Sequence, residues 1–205
     1  MEYDVYFHNN AEIIIKDNNH VLQSWNEIKN CLNQINEKDV SFVFNNSKRE
    51  AKSISETLYY LVSDTLKNYG WESNKAIFAS TTGDNIDKQW TNDFVKRSTC
   101  LNISIGHVSN VIKNLIKSAV AIKPNNILKN FNTELCILLT VKKEMKKAGG
   151  FDGAVAEYER YISVLKTLES IIDVPLVIVG VNKLKNIVVK HKTVNNKKIG
   201  YIDKS

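Results

Sequence analysis

The chain has 205 residues and a mass of 23.3 kDa, enough for one domain with a full core, so a single domain over 1–205 is expected. Its 43% hydrophobic and 24% charged residues exclude a disordered chain, and no apolar run approaches the roughly 20 residues that a bilayer requires. A formal charge of +6 and a pI near 9.1 favour a polyanionic partner over an acidic one.

The start, Met1-Glu2-Tyr3-Asp4, lacks the basic and apolar stretches of a signal peptide, so a cytoplasmic protein is expected. Cys31, Cys100 and Cys136 are odd in number, widely spaced and set in apolar patterns, which predicts buried free thiols, not a disulfide framework or a zinc site.

Val21, Leu22, Trp25, Ile28, Leu32 and Ile35 recur at helical spacing and predict an amphipathic helix near 19–35. Val40-Ser41-Phe42-Val43-Phe44 reads as a strand. Ser53 or Ser55 caps the next helix, whose apolar face is Ile54, Leu58, Leu61, Val62, Leu66 and Tyr69, and Gly70 ends it. A short strand at 75–79, a Gly-Asp-Asn turn at 83–85, a strand at 99–105, a helix at 108–120 and a strand at 134–141 follow. After Gly149-Gly150 come a helix carrying Phe151, Val155, Tyr158, Ile162, Leu165 and Leu168, and an apolar strand at 175–181. This order predicts an α/β fold, a mixed sheet covered by helices on both faces, with 99–105 and 134–141 as adjacent central strands. The helix at 108–120 presents Val111, Leu115 and Ala119 on one face and Ser109, Ile112, Ile116 and Val120 on another, so burial on two sides is expected. The end of the chain, from 182 to 205, holds seven lysines (183, 185, 190, 192, 197, 198 and 204) and His191 against Asp203 alone. That segment either neutralises several phosphates of a polyanion or forms a solvated basic tail.

Within the strand at 99–105, Cys100, Asn102 and Ser104 share the face opposite Leu101, Ile103 and Ile105. Two polar residues on one face of a central strand are either hydrogen-bonded sheet groups or part of a chemical site. Nearby, Asp93-Phe94-Val95-Lys96 is followed, after a short spacer, by Leu-Asn-Ile-Ser-Ile-Gly-His at 101–107. The pair resembles the core of restriction endonucleases of the BamHI/BglII/BstYI type, in the PD-(D/E)XK nuclease superfamily. There an aspartate in an Asp-Phe-x-Lys context precedes a Glu-x-Gln strand. The run Leu58-Tyr59-Tyr60-Leu61-Val62-Ser63-Asp64-Thr65 and the strand beginning Glu134-Leu135-Cys136 are similar to further parts of that core. The likeness spans roughly 19–181 and is strongest over 54–181.

The resemblance implies a homodimeric type II enzyme that binds a palindrome in double-stranded DNA and hydrolyses phosphodiesters with Mg²⁺. It places Asp93 at the metal-binding aspartate, with Asp87 of Asn85-Ile86-Asp87 as the competing candidate, and Glu72 near a further acid of the site. Asn102 stands where the family has glutamate, and Ser104 where it has glutamate or glutamine. Lys183, Lys185, Lys190 and Lys192 are the DNA-contacting candidates in the basic segment.

Mg²⁺ is a hard cation that carboxylate oxygens localise. Losing one unit charge about 4 Å from a dication costs roughly 8 kcal/mol at an effective dielectric near 20, before water compensates. Three accounts of Asn102 stay open: a degenerate nuclease, an alternative acid such as Glu72 or Asp84, and a match displaced by a few residues. Three functions stay open: a Mg²⁺-dependent site-specific deoxyribonuclease, a catalytically inactive DNA-binding pseudonuclease or partner subunit, or a lysine-rich interaction domain that does not touch DNA. His107 is either a base or a loop histidine at a strand end. No Walker loop, His-Glu-x-x-His helix or Gly-x-Ser-x-Gly elbow is present.

Overall fold

The computed structural model describes residues 1–47, 50–79, 90–124 and 128–203. Six strands form one sheet: β1 (Tyr3–His8), β2 (Glu72–Ala76), β3 (Thr91–Lys96), β4 (Thr99–Ile103), β5 (Leu135–Val141) and β6 (Leu176–Val181). Their spatial order is β1-β6-β5-β4-β3-β2, parallel across β4, β5 and β6 and antiparallel at both flanks. The mixed sheet and its two adjacent central strands, β4 and β5, are as predicted. β5 and β6 are buried at every position, as parallel strands covered on both faces must be.

One face carries Phe94, Leu101, Ile137, Leu139, Val177 and Val179 beneath α1 (Ala11–Asp17), α2 (Asn19–Gln34), α3 (Glu37–Asn45) and α4 (Ser55–Asn68). The other carries Val95, Cys100, Cys136, Leu138, Leu176 and Ile178 beneath α5 (Val111–Ile122) and α7 (Tyr158–Thr167). A short α6 (Lys143–Ala148) follows β5, and β7 (Val188–Val194) and β8 (Lys197–Asp203) form a separate hairpin. No helix among the described residues is long and apolar enough to cross a membrane.

Four expectations need correction. Residues 40–44 are helical because Asn36 caps α3: its side chain accepts from the Lys38 and Asp39 amides, and Asp39 accepts from the Asn36 amide. Val40 and Phe44 are then buried one turn apart while Phe42 is 68% exposed, so the apparent alternation has no sheet to face. Residues 151–157 are not helical, since the Ala156 amide donates to Gly106 O and the Val108 amide to Ala154 O, tying this stretch to the end of β4. The predicted helix at 108–120 begins with a 3-10 turn at Val108–Asn110, and α5 runs on to Ile122. Finally, Cys100 and Cys136 are register partners on β4 and β5, with Cα atoms 4.9 Å apart, and form a disulfide, while Cys31 is free and buried. The turn at 83–85 lies outside the described residues.

Candidate functional site

The β3–β4 pairing brings the sequence candidates together. Phe94 lies opposite Leu101 and Val95 opposite Cys100, so Asp93 meets Asn102 at the end of the ladder. The Asp93 amide donates to Asn102 Oδ1 at 3.1 Å, and Asp93 Oδ2 accepts the Ile103 amide at 2.7 Å. Asn102, 2% exposed, also donates from Nδ2 to Asn92 Oδ1 at 3.1 Å. A fourth side chain closes the group: Lys117 Nζ of α5 donates to Asn102 Oδ1 at 2.8 Å and to the main-chain oxygen of Thr91 at 3.0 Å.

The electrostatics follow from burial. Desolvation pushes the Asp93 carboxyl above its ordinary range, opposed by the Ile103 hydrogen bond and the Lys117 charge. Desolvation lowers the Lys117 ammonium, opposed by the Asp93 charge and assisted by Lys113 one turn earlier. The Tyr59 hydroxyl is raised by burial and by the charge of Asp93.

Ser104 lies in the same region, 5% exposed, but its hydroxyl engages the phenol of Tyr161, which also accepts from Asn114 Nδ2 at 2.8 Å. Glu72 is not drawn in: it is exposed on the edge strand β2, opposite Val95, and pairs with Lys75 at 2.8 Å. Asp87 and Asp84 lie outside the described residues. Lys96 falls on the other face of β3 from Asp93, where Nζ lies 2.9 Å from both oxygens of Glu27. Glu27 also binds Arg97 Nη1 at 3.1 Å and accepts from Trp71 Nε1 at 2.9 Å. His107 Nδ1 lies 2.8 Å from Ser109 Oγ and accepts the Ser109 amide at 3.2 Å, the position of a helix cap.

The four candidate DNA lysines separate into two places. Lys183 and Lys185 border a surface cavity of about 350 Å³ together with Glu2 and Glu37, and Lys185 lies 3.8 Å from Glu2. Lys190 and Lys192 are exposed on one face of β7, Lys190 paired with Asp203 at 2.5 Å and Lys192 over the Tyr201 ring.

Sequence reading missed Asn92 and Lys117. The signal for Lys117 was present: Lys113 and Lys117 are the two charged positions of the mostly apolar helix Val111–Ile122, four residues apart and so on one face.

As a donor set the cleft is poor for a divalent cation. It offers one carboxylate with an oxygen committed to Ile103, one amide oxygen already bonded to an ammonium, and a hydroxyl turned to Tyr161. Among the described residues no three His, Cys, Asp or Glu side chains cluster to hold a metal ion.

Comparison with solved structures finds the same fold in the crystal structure of restriction endonuclease BglII complexed with a DNA 16-mer. The TM-score is 0.66 at 17% identity, covering 99% of this chain and 100% of that one. The crystal structure of free BglII matches with a TM-score of 0.53 at 15% identity, covering 99% of this chain and 92% of that one. A comparison with curated protein sequences finds no match. The sequence model of the family "restriction endonuclease BglII/BglIII" matches residues 3–181, from β1 through the cleft to the end of β6, and the chain therefore belongs to that restriction-endonuclease family.

Proposed function

We propose that the chain is a duplex-DNA-binding protein on the restriction-endonuclease frame, acting as a homodimer, in which Mg²⁺-dependent phosphodiester hydrolysis is weak or lost. The observation that carries this reading is the state of Asn102. Its Oδ1 accepts from Asp93 and Lys117, which takes both lone pairs, and its Nδ2 donates to Asn92, so the amide oxygen is a structural acceptor, not an open ligand. In a working site of the family type, Asp93 and the residue at 102 would hold Mg²⁺, and the residues present do not fit that task.

Support for the grip comes from the family and from charge. The matched structure of BglII holds a DNA 16-mer, and this chain carries a net +6 with Lys190 and Lys192 exposed side by side on its hairpin. Support for the dimer comes from α5, where Ile112 is 51% and Ile116 41% exposed while Leu115 and Val111 are buried against the sheet. A second reading, an active Mg²⁺ nuclease, draws on Asp93, whose half-buried carboxyl remains in the cleft.

Two measurements on the unmodified protein separate these functions. Binding to duplex DNA should fall steeply with salt, with a log–log slope near −0.9 for each phosphate neutralised. Incubation of supercoiled plasmid with Mg²⁺ should leave it closed. Robust nicking that needs Mg²⁺ and disappears in Asp93→Asn establishes the nuclease reading instead, and a salt-insensitive affinity removes DNA as the partner.

A further inference from the structure

Lys117 fills the position from which a cation would act on this cleft. Its ammonium bonds a side-chain amide oxygen, Asn102 Oδ1 at 2.8 Å, and a main-chain oxygen, Thr91 O at 3.0 Å, beside the half-buried residue Asp93. Those are the hard oxygen donors a divalent ion would seek, and they are already engaged by a tethered positive charge.

Charge balance makes the same point. Asp93 contributes one negative charge, Lys117 one positive charge, and Asn102 none, so the group is neutral as it stands. A dication entering beside the ammonium would leave the cleft with two uncompensated positive charges in a poorly solvated space.

We propose that Lys117 is the resident cation of this cleft, replacing a divalent metal and presenting a built-in positive charge to a DNA phosphate. Asn102 and Lys117 are then two halves of one change, the loss of a carboxylate and the gain of an ammonium. The phosphate in this statement rests on the DNA-binding reading above, whereas the displacement of metal does not.

Mn²⁺ is titrated into the DNA-free protein and followed by electron paramagnetic resonance, in the unmodified chain, in Asn102→Glu, and in Asn102→Glu with Lys117→Met. The double variant has two carboxylates and no ammonium, so it should take up Mn²⁺ more tightly than the single variant by on the order of a hundredfold. The unmodified chain should bind none at this site. Equal Mn²⁺ affinity in the single and double variants, or tight binding by the unmodified chain that Asp93→Asn abolishes, overturns the proposal.

Should the double variant not fold, the unmodified protein decides. Its DNA affinity should agree within about twofold between chelator and Mg²⁺, and a rise of about tenfold or more on adding Mg²⁺ would show a metal coupled to DNA and refute Lys117 as its replacement. A chain that binds no DNA under either condition defeats the proposed function, while the Mn²⁺ titration still decides the role of Lys117.

Discussion

Replacing Glu27 with glutamine keeps the side chain's volume and removes the charge that holds the far side of β3. Both Glu27 oxygens lie 2.9 Å from Lys96 Nζ, and the same carboxylate binds Arg97 at 3.1 Å and Trp71 Nε1 at 2.9 Å. A unit charge pair at about 2.9 Å is attracted by roughly 6 kcal/mol at an effective dielectric near 20. The Glu27 and Lys96 side chains keep 19% and 20% of their surface exposed, so water returns part of this. Breaking a buried pair costs about 3–5 kcal/mol, and the partial exposure puts Glu27→Gln at the lower end, about 3 kcal/mol. With a urea slope of about 2–3 kcal/mol per molar, the unfolding midpoint should drop by about 1–1.5 M at neutral pH.

The pH dependence of that penalty identifies its origin. Burial pushes the Glu27 carboxyl up, but hydrogen bonds from Lys96, Trp71 and Arg97 and the Lys96 charge outweigh it and hold the group below the usual carboxylate range. A depressed folded pKa contributes stability that is present above the unfolded value, about 4.3, and is lost as pH falls through the folded one. The gap between unmodified protein and Glu27→Gln should therefore be constant above about pH 5 and close in acid. An unchanged midpoint at neutral pH, or a penalty that persists undiminished once the carboxylate is protonated, refutes the charge argument.

Ile112→Glu combined with Ile116→Glu should convert the protein to a monomer in sedimentation velocity while leaving its circular dichroism unchanged, because both side chains stand clear of the core; a variant that stays dimeric moves the contact away from α5. Tyr161→Phe removes a phenol that is 1% exposed and bonded to Asn114 and Ser104, and should cost about 1–2 kcal/mol in urea denaturation. An unshifted midpoint there would mean that Ser104 and Asn114 satisfy each other without it.

Periodicity carried the long elements because burial wrote them plainly. Leu101, Ile137 and Val177 lie in strands buried on both faces, and the Leu58, Val62 and Leu66 stripe packs α4 on the sheet. Edge and short elements were less legible. β1 is half-exposed over most of its length and shows no clean apolar period, and the short strand expected at 75–79 lies at Glu72–Ala76, where exposed Glu72, Ser73 and Asn74 carry no apolar signal for its start. In α3 the capping by Asn36 and Asp39 outweighed an apparent strand alternation. In the cleft, strand alternation did place Asn102 and Ser104 away from Leu101, and the nine-residue step from Asp93 to Asn102 closed across the β3–β4 turn. Lys96, although part of the Asp-Phe-x-Lys run that carries the resemblance, is an odd step of three residues from Asp93 along the strand and lies on the opposite face. For Lys117 the helical spacing from Lys113 was visible, but its partners Thr91 and Asn102 lie on other elements and become its neighbours only when α5 packs on the sheet.

The sheet order also bears on how the protein is made. β1 lies at one edge beside β6, so the first of these six sheet strands in chain order finds its partner in the last of them. When α1 to α4 have emerged from the ribosome, the buried positions Trp25, Ile28, Leu32, Leu58 and Leu66 have no β4, β5 or β6 to pack against. Loop closure over nearly the whole chain must precede the β1–β6 contact. Nascent chains stalled before Leu176 should accordingly be protease-sensitive and chaperone-bound, and resistance should arrive abruptly once β6 has cleared the exit tunnel.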